Sequence, residues 1–274
     1  MAINLGATPI NKIFLGGTEI KKAYHGATLI HDKTVSGPAP FDPSDLNPLA
    51  WFDFSDLSTL FQDAGGTTPV TTHGHGISRF LDKGSAGWHQ TEAGPWDGSV
   101  WRDAGEIELK RGNSSFAGGS PSGVDDFEIV MGLRNTSSNW MGLGWVQGGT
   151  GIVRALNDFF PVLNDGTNWE EGNYGSSSIL NGSGAVLGVT RQRGTAGGFR
   201  SWVNGSPVHT ANARDSQVMI GNFRFVVHEF GGGPAADGDA VMWCAQFFVF
   251  DRVISSGERA DLVAWVAAKM GLEL

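Results

Sequence analysis

Three consecutive ten-residue units open the chain, and a glycine near the centre of each restricts what they can form. Ile3–Lys12 reads INLGATPINK, Ile13–Lys22 reads IFLGGTEIKK and Ala23–Asp32 reads AYHGATLIHD. Gly recurs at 6, 16 and 26, Thr at 8, 18 and 28, and Ile at 10, 20 and 30. Each unit is a short β run broken by a two-residue turn, at Gly6-Ala7, Gly16-Gly17 and Gly26-Ala27. Gly in the first turn position supplies the positive φ of a type II′ hairpin. Ile10, Lys12 and Phe14 alternate with Asn11, Ile13 and Leu15, so both faces carry apolar groups. A meander this small buries too little surface to stand alone. It is expected to dock on another copy, on a larger assembly or, in the plainer reading, on the main domain's sheet. The anchoring residues would be Ile3, Leu5, Ile10, Ile13, Phe14, Leu15, Ile20, Tyr24 and Ile30.

Charge narrows the partners. The chain of 274 residues carries 19 basic and 28 acidic side chains, a net of −9, with no basic cluster beyond Lys21-Lys22. Nucleic acid and an anionic membrane are therefore not expected as partners, and no apolar run approaches the length needed for membrane insertion. Residues 1–33 hold four Lys against Glu19 and Asp32, a net of +2, which leaves −11 on the remainder. A mildly basic foot below an acidic head suits docking to an acidic assembly. The start of the sequence lacks a charged segment followed by an apolar one, so no signal peptide is expected. The single Cys244, inside VMWCAQFFVF, is expected to be a buried thiol, and one cysteine permits no internal disulfide.

Residues 34–48 hold Pro38, Pro40, Pro43 and Pro48 without a sustained period, which reads as a linker between a 1–33 module and a 49–274 domain. From Leu49 the β pattern returns. Strands are predicted at 51–54, 127–133, 141–146, 152–156, 160–163, 185–192, 198–203, 217–220 and 241–250. One helix is expected. Ser255 and Glu258 form a capping box, Leu262, Val263, Val266 and Met270 mark an apolar stripe, and Gly271 supplies the stop. The stripe should pack on an edge or end of the sandwich. With 41 Gly, ten Trp and only 17% charged residues, the composition is that of a turn-rich all-β sandwich.

The opening units resemble the tandem LGxTxI repeats that begin many virion proteins of phages and gene transfer agents. The match spans Ile3 to about Asp32, and the third unit departs from it with His25 where Leu is usual. A second resemblance covers roughly 48–272. NPLAWFDFSDLSTLFQDAGGTTPVT, RSWVNGSPV at 200–208, VMIGNF at 218–223 and AQFFVFDRVISSGERADLVAWVAAKMGL are similar to the laminin-G/concanavalin A-like jelly-roll superfamily. That resemblance implies an all-β jelly-roll sandwich with one C-terminal helix. Together the two imply a virion spike or fibre protein whose head binds a host-surface polysaccharide. The expected partners are capsid or tail proteins and that polysaccharide, with the chain oligomeric on the particle. A purely structural adaptor and a depolymerase are the alternatives.

Chemistry-bearing constellations are sparse. No ExD occurs, the only ExE, Glu106-Ile107-Glu108, reads as a solvated strand face, and no catalytic residue is assigned. His73-Gly74-His75 offers two imidazoles without a third ligand nearby and reads as a polar loop. Calcium stays open at Asp53 and Asp56 and at Asp237 and Asp239, although Asp53 equally suits a turn cap. Gly231–Gly233 reads as a loop. A sugar needs an aromatic face with polar groups at its rim. Trp140, Trp145, Asn168, Trp169, Glu170, Asn173 and Tyr174 provide both in segments read as loops. Trp169 is either a sugar platform or a loop anchor. Trp51, Trp202, Trp243 and Trp265 sit in apolar patterns and are assigned to the core, with Trp88, Trp96 and Trp101 undecided.

Overall fold

The computed structural model of the protein describes residues 4–5, 8–9, 13–15, 18–20, 22–25, 28–32, 41–92, 99–110, 115–118, 125–135, 141–144, 151–155, 158–164, 169–171, 184–213, 215, 224–228 and 241–274. The chain divides into two units, Met1–Asp42 and Pro43–Leu274. The first holds three hairpins: β1 (Asn4–Leu5) with β2 (Thr8–Pro9), β3 (Ile13–Leu15) with β4 (Thr18–Ile20), and β5 (Lys22–His25) with β6 (Thr28–Asp32). Leu5 pairs with Thr8, Leu15 with Thr18 and His25 with Thr28, so two residues separate the strands in each copy. The second unit begins inside the Pro-rich stretch, with a 3-10 turn over Pro43–Leu46 that buries Pro43 and Leu46.

The second unit is a two-sheet sandwich. Its strands are β7 (Ala50–Asp53), β8 (Leu60–Phe61), β9 (Arg79–Phe80), β10 (Gln90–Glu92), β11 (Val100–Arg102), β12 (Glu106–Lys110), β13 (Ser115–Gly118) and β14 (Phe127–Asn135). There follow β15 (Met141–Gly144), β16 (Gly151–Ala155), β17 (Asp158–Asn164), β18 (Trp169–Glu171), β19 (Ala185–Arg191), β20 (Phe199–Val203), β21 (Ser206–Ala211), β22 (Arg224–His228) and β23 (Val241–Phe250). One sheet runs β18-β17-β16-β15-β22-β13-β10-β9-β8. The other runs β11-β12-β23-β14-β19-β20-β21, with β7 also on β23. Every described pairing in it is antiparallel. The predicted strand at 217–220 and the loop at Gly231–Gly233 lie outside the described residues.

Alternation along β14 separates two apolar layers. Phe127, Ile129, Met131 and Leu133 enter the core between the sheets, while Glu128, Val130 and Gly132 face outward. In the inter-sheet core Phe80 lies 5.1 Å from Phe52, 5.2 Å from Phe54 and 4.9 Å from Phe116, between ring centroids. Cys244 belongs to this core, and burial together with the Glu106 charge pushes its thiol well above the usual range.

The outward layer is roofed by α1 (Ser256–Lys269), which packs on β14, β19 and β23, across a sheet face and away from the sandwich edge. The expectation of an edge or end contact is corrected accordingly. The layer needs a cover because Trp51, Phe248 and Phe250 all project from that face and the β-strand pleat offers them no other shelter. Trp51 stacks on Phe248 at 5.5 Å, and Trp265 meets both rings edge-on. A β-carbon at Gly132 would fall 2.6 Å from the Met270 sulfur, and one at Gly188 would fall 1.9 Å from the Trp202 ring. Both glycines let a covering group lie flat on the sheet.

The capping box forms as expected. Ser255 Oγ accepts from the Glu258 N–H at 3.2 Å, and Glu258 accepts from the Ser255 N–H at 2.7 Å. Arg252 grips the same carboxylate at 2.7 Å, and these partners hold the Glu258 carboxyl down at about 2. Gly271, at φ 65°, ends the helix. Ser255→Ala is expected to cost about 1 kcal/mol in denaturant melts. A curve superimposable on wild type would show that Arg252 and Glu258 hold the helix start without the hydroxyl.

Candidate functional site

The proposed sugar residues are only partly described. Trp140, Trp145, Asn168, Asn173 and Tyr174 lie outside the described residues, as does Trp96. Trp169 and Glu170 lie in β18, so the segment read as an irregular loop is extended there. Asn164 pairs with Trp169, Leu163 with Glu170 and Val162 with Glu171. The alternation puts positions 169 and 171 on one face and 170 on the other. β18 ends the described strand order of its sheet. Of the anchoring set, Ile3 and Ile10 lie outside the described residues, while Leu5, Ile13, Phe14, Leu15, Ile20, Tyr24 and Ile30 fall within the hairpin strands.

Asp53 and Asp56, the calcium candidates, are engaged within the chain. Asp53 Oδ1 accepts from the Ser55 N–H at 3.0 Å, the Ser55 hydroxyl at 2.6 Å and Gln246 Nε2 at 2.6 Å. Asp56 caps the next 3-10 turn through Ser58. Between the two carboxylates stands the Lys83 ammonium, 3.4 Å from Asp53 and 2.9 Å from Asp56. A protein cation already occupies the place a metal would take. Burial works against both charges, yet Ser58 and Lys83 hold Asp56 below its ordinary value, and Asp56 and Asp53 hold Lys83 above its own. Asp237 and Asp239 lie outside the described residues. Among the described residues no group of three His, Cys, Asp or Glu is placed to hold a metal ion. His73 and His75 do not converge: His73 faces Arg102 and Asp103, while His75 bonds Thr72.

A cluster that sequence reasoning missed occupies the outer face beside the C-terminus of α1. Register sets Arg102 opposite Glu106, Glu108 opposite Trp243, and Trp243 opposite Arg134. These five side chains therefore share one face across four strands. Glu106 and Glu108 are not the solvated pair expected, since their exposures are 0% and 3%. Arg134 Nε donates to Glu106 at 3.1 Å, and Arg134 Nη2 donates to the Met270 carbonyl at 3.0 Å, closing the end of the helix. Arg102 pairs with Glu108 and also lies 5.8 Å from the centre of the Trp243 ring. Burial pushes the Glu106 carboxyl up, against the charge of Arg134. Trp243 is half-buried on this outer face, not in the inter-sheet core, while Cys244 beside it points inward. Trp51 and Trp202 are buried as expected, but in the layer under α1, and Trp265 is partly exposed there. Trp88 and Trp101 pack partly buried against the inter-sheet core.

The signal for this cluster was present but non-local. The ExE spacing places two carboxylates on one side, and Arg134, the penultimate residue of β14, marks a basic neighbour. Nothing local says that Arg134 returns to Glu106 across 28 positions.

No protein-family model and no curated protein sequence matches the chain. Solved structures do. The chain is similar to the binding domain of botulinum neurotoxin serotype D/C, with 10% identity and a TM-score of 0.60 over 82% of this chain and 53% of that one. The serotype G binding domain gives 14%, 0.57, 81% and 51%. A botulinum neurotoxin type C structure, described as entering cells through interaction with two ganglioside molecules, gives 14%, 0.55, 68% and 48%. The chain spans about half the length of these structures. At such identities the shared property is the fold, and this chain folds as an all-β jelly-roll sandwich with a single described helix.

Proposed function

We propose that the chain is a receptor-binding spike or fibre component of a phage or gene-transfer-agent particle, whose sandwich head binds a host-surface polysaccharide. The observation that carries the reading is the head's architecture, which it has in common with domains that bind cell-surface receptors. Trp169 and Glu170, the aromatic and carboxylate residues proposed for a pyranose, belong to β18 at the end of the described strand order. The three hairpins of residues 4–32 are two-stranded and marginal in isolation, which fits a segment that completes itself on a particle. Many copies on one particle turn weak single-site binding into firm attachment. The reading includes no catalytic step.

Glycan-array binding of the full chain tests it. Retention of a defined set of polysaccharides, lost in Trp169→Ala with melting unchanged, is the expected result. A blank array assigns the sandwich to a structural adaptor, and release of reducing ends from a bound polysaccharide assigns it to a depolymerase. Deleting residues 1–33 should leave a soluble head that no longer joins its particle. Normal incorporation of that truncation would remove the anchoring role.

A further inference from the structure

Among the described residues, the outer-face cluster contains three polar atoms that are buried and lack a hydrogen-bond partner: Arg102 Nε, Glu106 Oε2 and Trp243 Nε1. Five other such atoms among the described residues, on Arg79, Gln90, Asp125, Trp202 and His209, lie elsewhere in the second unit. The three here fall on adjacent strands at neighbouring register positions. Buried polar groups are nearly always satisfied, and leaving one unpaired costs about 1–3 kcal/mol. Three together on one face need partners that the described side chains do not supply.

The chemistry of the three atoms specifies what completes them. Two are N–H donors and one is a carboxylate acceptor. A hydroxyl group both donates and accepts, so a pair of neighbouring hydroxyls satisfies all three atoms at once. An anion does not, because it would meet Glu106, and the guanidinium charges are already spent on Glu106 and Glu108. A cation would meet Arg102 and Arg134. The half-buried indole of Trp243 supplies the apolar surface that the C–H side of a sugar ring requires. We propose that this part of the outer face, between β11 and the C-terminus of α1, binds an uncharged pyranose. Arg102 Nε and Trp243 Nε1 donate to its hydroxyls, and Glu106 Oε2 accepts from one of them. The closed arrangement shields the three atoms, so the ring enters as the Arg102 side chain, 28% exposed, turns off the Trp243 face and keeps its Nε–H toward the bound hydroxyls. This site names a ligand class for the glycan-binding reading and rests on it to that extent, but it uses residues distant in sequence from Trp169.

The test is an indole N–H spectrum of the full-length, nitrogen-15-labelled chain. Trp243→Phe deletes one resonance and so identifies it. Methyl glucoside, methyl galactoside and sodium glucuronate are then titrated separately into the millimolar range. A saturable shift of the Trp243 resonance with a neutral glycoside, absent with glucuronate, is expected. Arg102→Met should weaken that binding about tenfold, as the loss of one good hydrogen bond does, and Glu106→Gln should weaken it similarly. Glu106→Gln and Arg102→Met each disturb a buried pair, so Arg102→Lys, which keeps a cation for Glu108 and removes the Nε–H, keeps the result decisive should either fail to fold. A resonance that stays still against every neutral glycoside overturns the proposal. So does a high-resolution map with a single water bridging the three atoms and no shift on titration. A stationary Trp243 resonance beside a glycan array that Trp169→Ala abolishes would sink this site and leave the broader reading intact. A shifting resonance beside a blank array supports the site and removes the array-based reading.

Discussion

Arg259→Ala is expected to lose about 3–5 kcal/mol, because it strands a buried carboxylate. Glu128 is fully buried on the outer face of β14, and Arg259 of α1 reaches it with Nε at 2.6 Å and Nη2 at 2.8 Å. The Ile254 N–H adds a third donor at 3.2 Å. A loss that large is comparable with the whole stability of a weak domain. The effect is also pH-dependent with a defined sign. Burial holds the Glu128 carboxyl above its ordinary value of 4.5, with Arg259 opposing the rise. Folding therefore favours the protonated group, and stability from Glu128 is lost as pH rises through the folded value. Removing Arg259 raises that value further, so the deficit of the variant is greatest at neutral pH and shrinks as pH falls toward 4.5. Denaturant melts across that range measure it. Glu128→Gln combined with Arg259→Ala should recover part of the loss. A deficit below about 1 kcal/mol, the level of an exposed pair, would show that water reaches Glu128.

Phe80→Ala is expected to cost about 3–5 kcal/mol, the usual toll for emptying a core aromatic site. Phe80 belongs to the nine-stranded sheet, and its edge contacts with Phe52 and Phe54 cross to the facing sheet. Its ring is 1% exposed, so the space it leaves has no route to solvent. Val208, 46% exposed on β21, is the matched control, and truncating it should change stability by no more than about 0.5 kcal/mol. Equal effects at the two sites would mean that the sheets are not held together through this cluster.

What could be read from the sequence divides by the range of the forces involved. The last helix was legible because its start is written in Ser255 and Glu258, three residues apart, and its stop in Gly271. β23 and β19 were legible because long apolar runs leave few alternatives, and both extend almost as the pattern predicts. β8 to β11 were not, being two or three residues long with polar neighbours, too short for a period to show. The site was harder still. Asp53 looks like a metal ligand until Lys83 folds back on it, and Glu106 looks solvated until Arg134 and α1 cover it. Trp243 sits in an apolar run, yet alternation sends it outward while Cys244 goes in. A strand pattern gives the parity of a side chain and leaves its cover to distant segments.

The pairing of β7 with β23 carries a consequence for synthesis. Phe52 meets Phe247 and Trp51 meets Phe248 across the ladder, and Trp51 donates to Gln246, 195 residues away. On the ribosome the first strand of the sandwich therefore waits for its ladder partner until β23 has emerged. α1 comes later still, so the tryptophan layer it covers stays bare until then. Closing so long a loop makes folding slow. A chain stopped before residue 241 would lack the strand that joins β7, β12 and β14, and is expected to be held by chaperones or degraded rather than released as a smaller head.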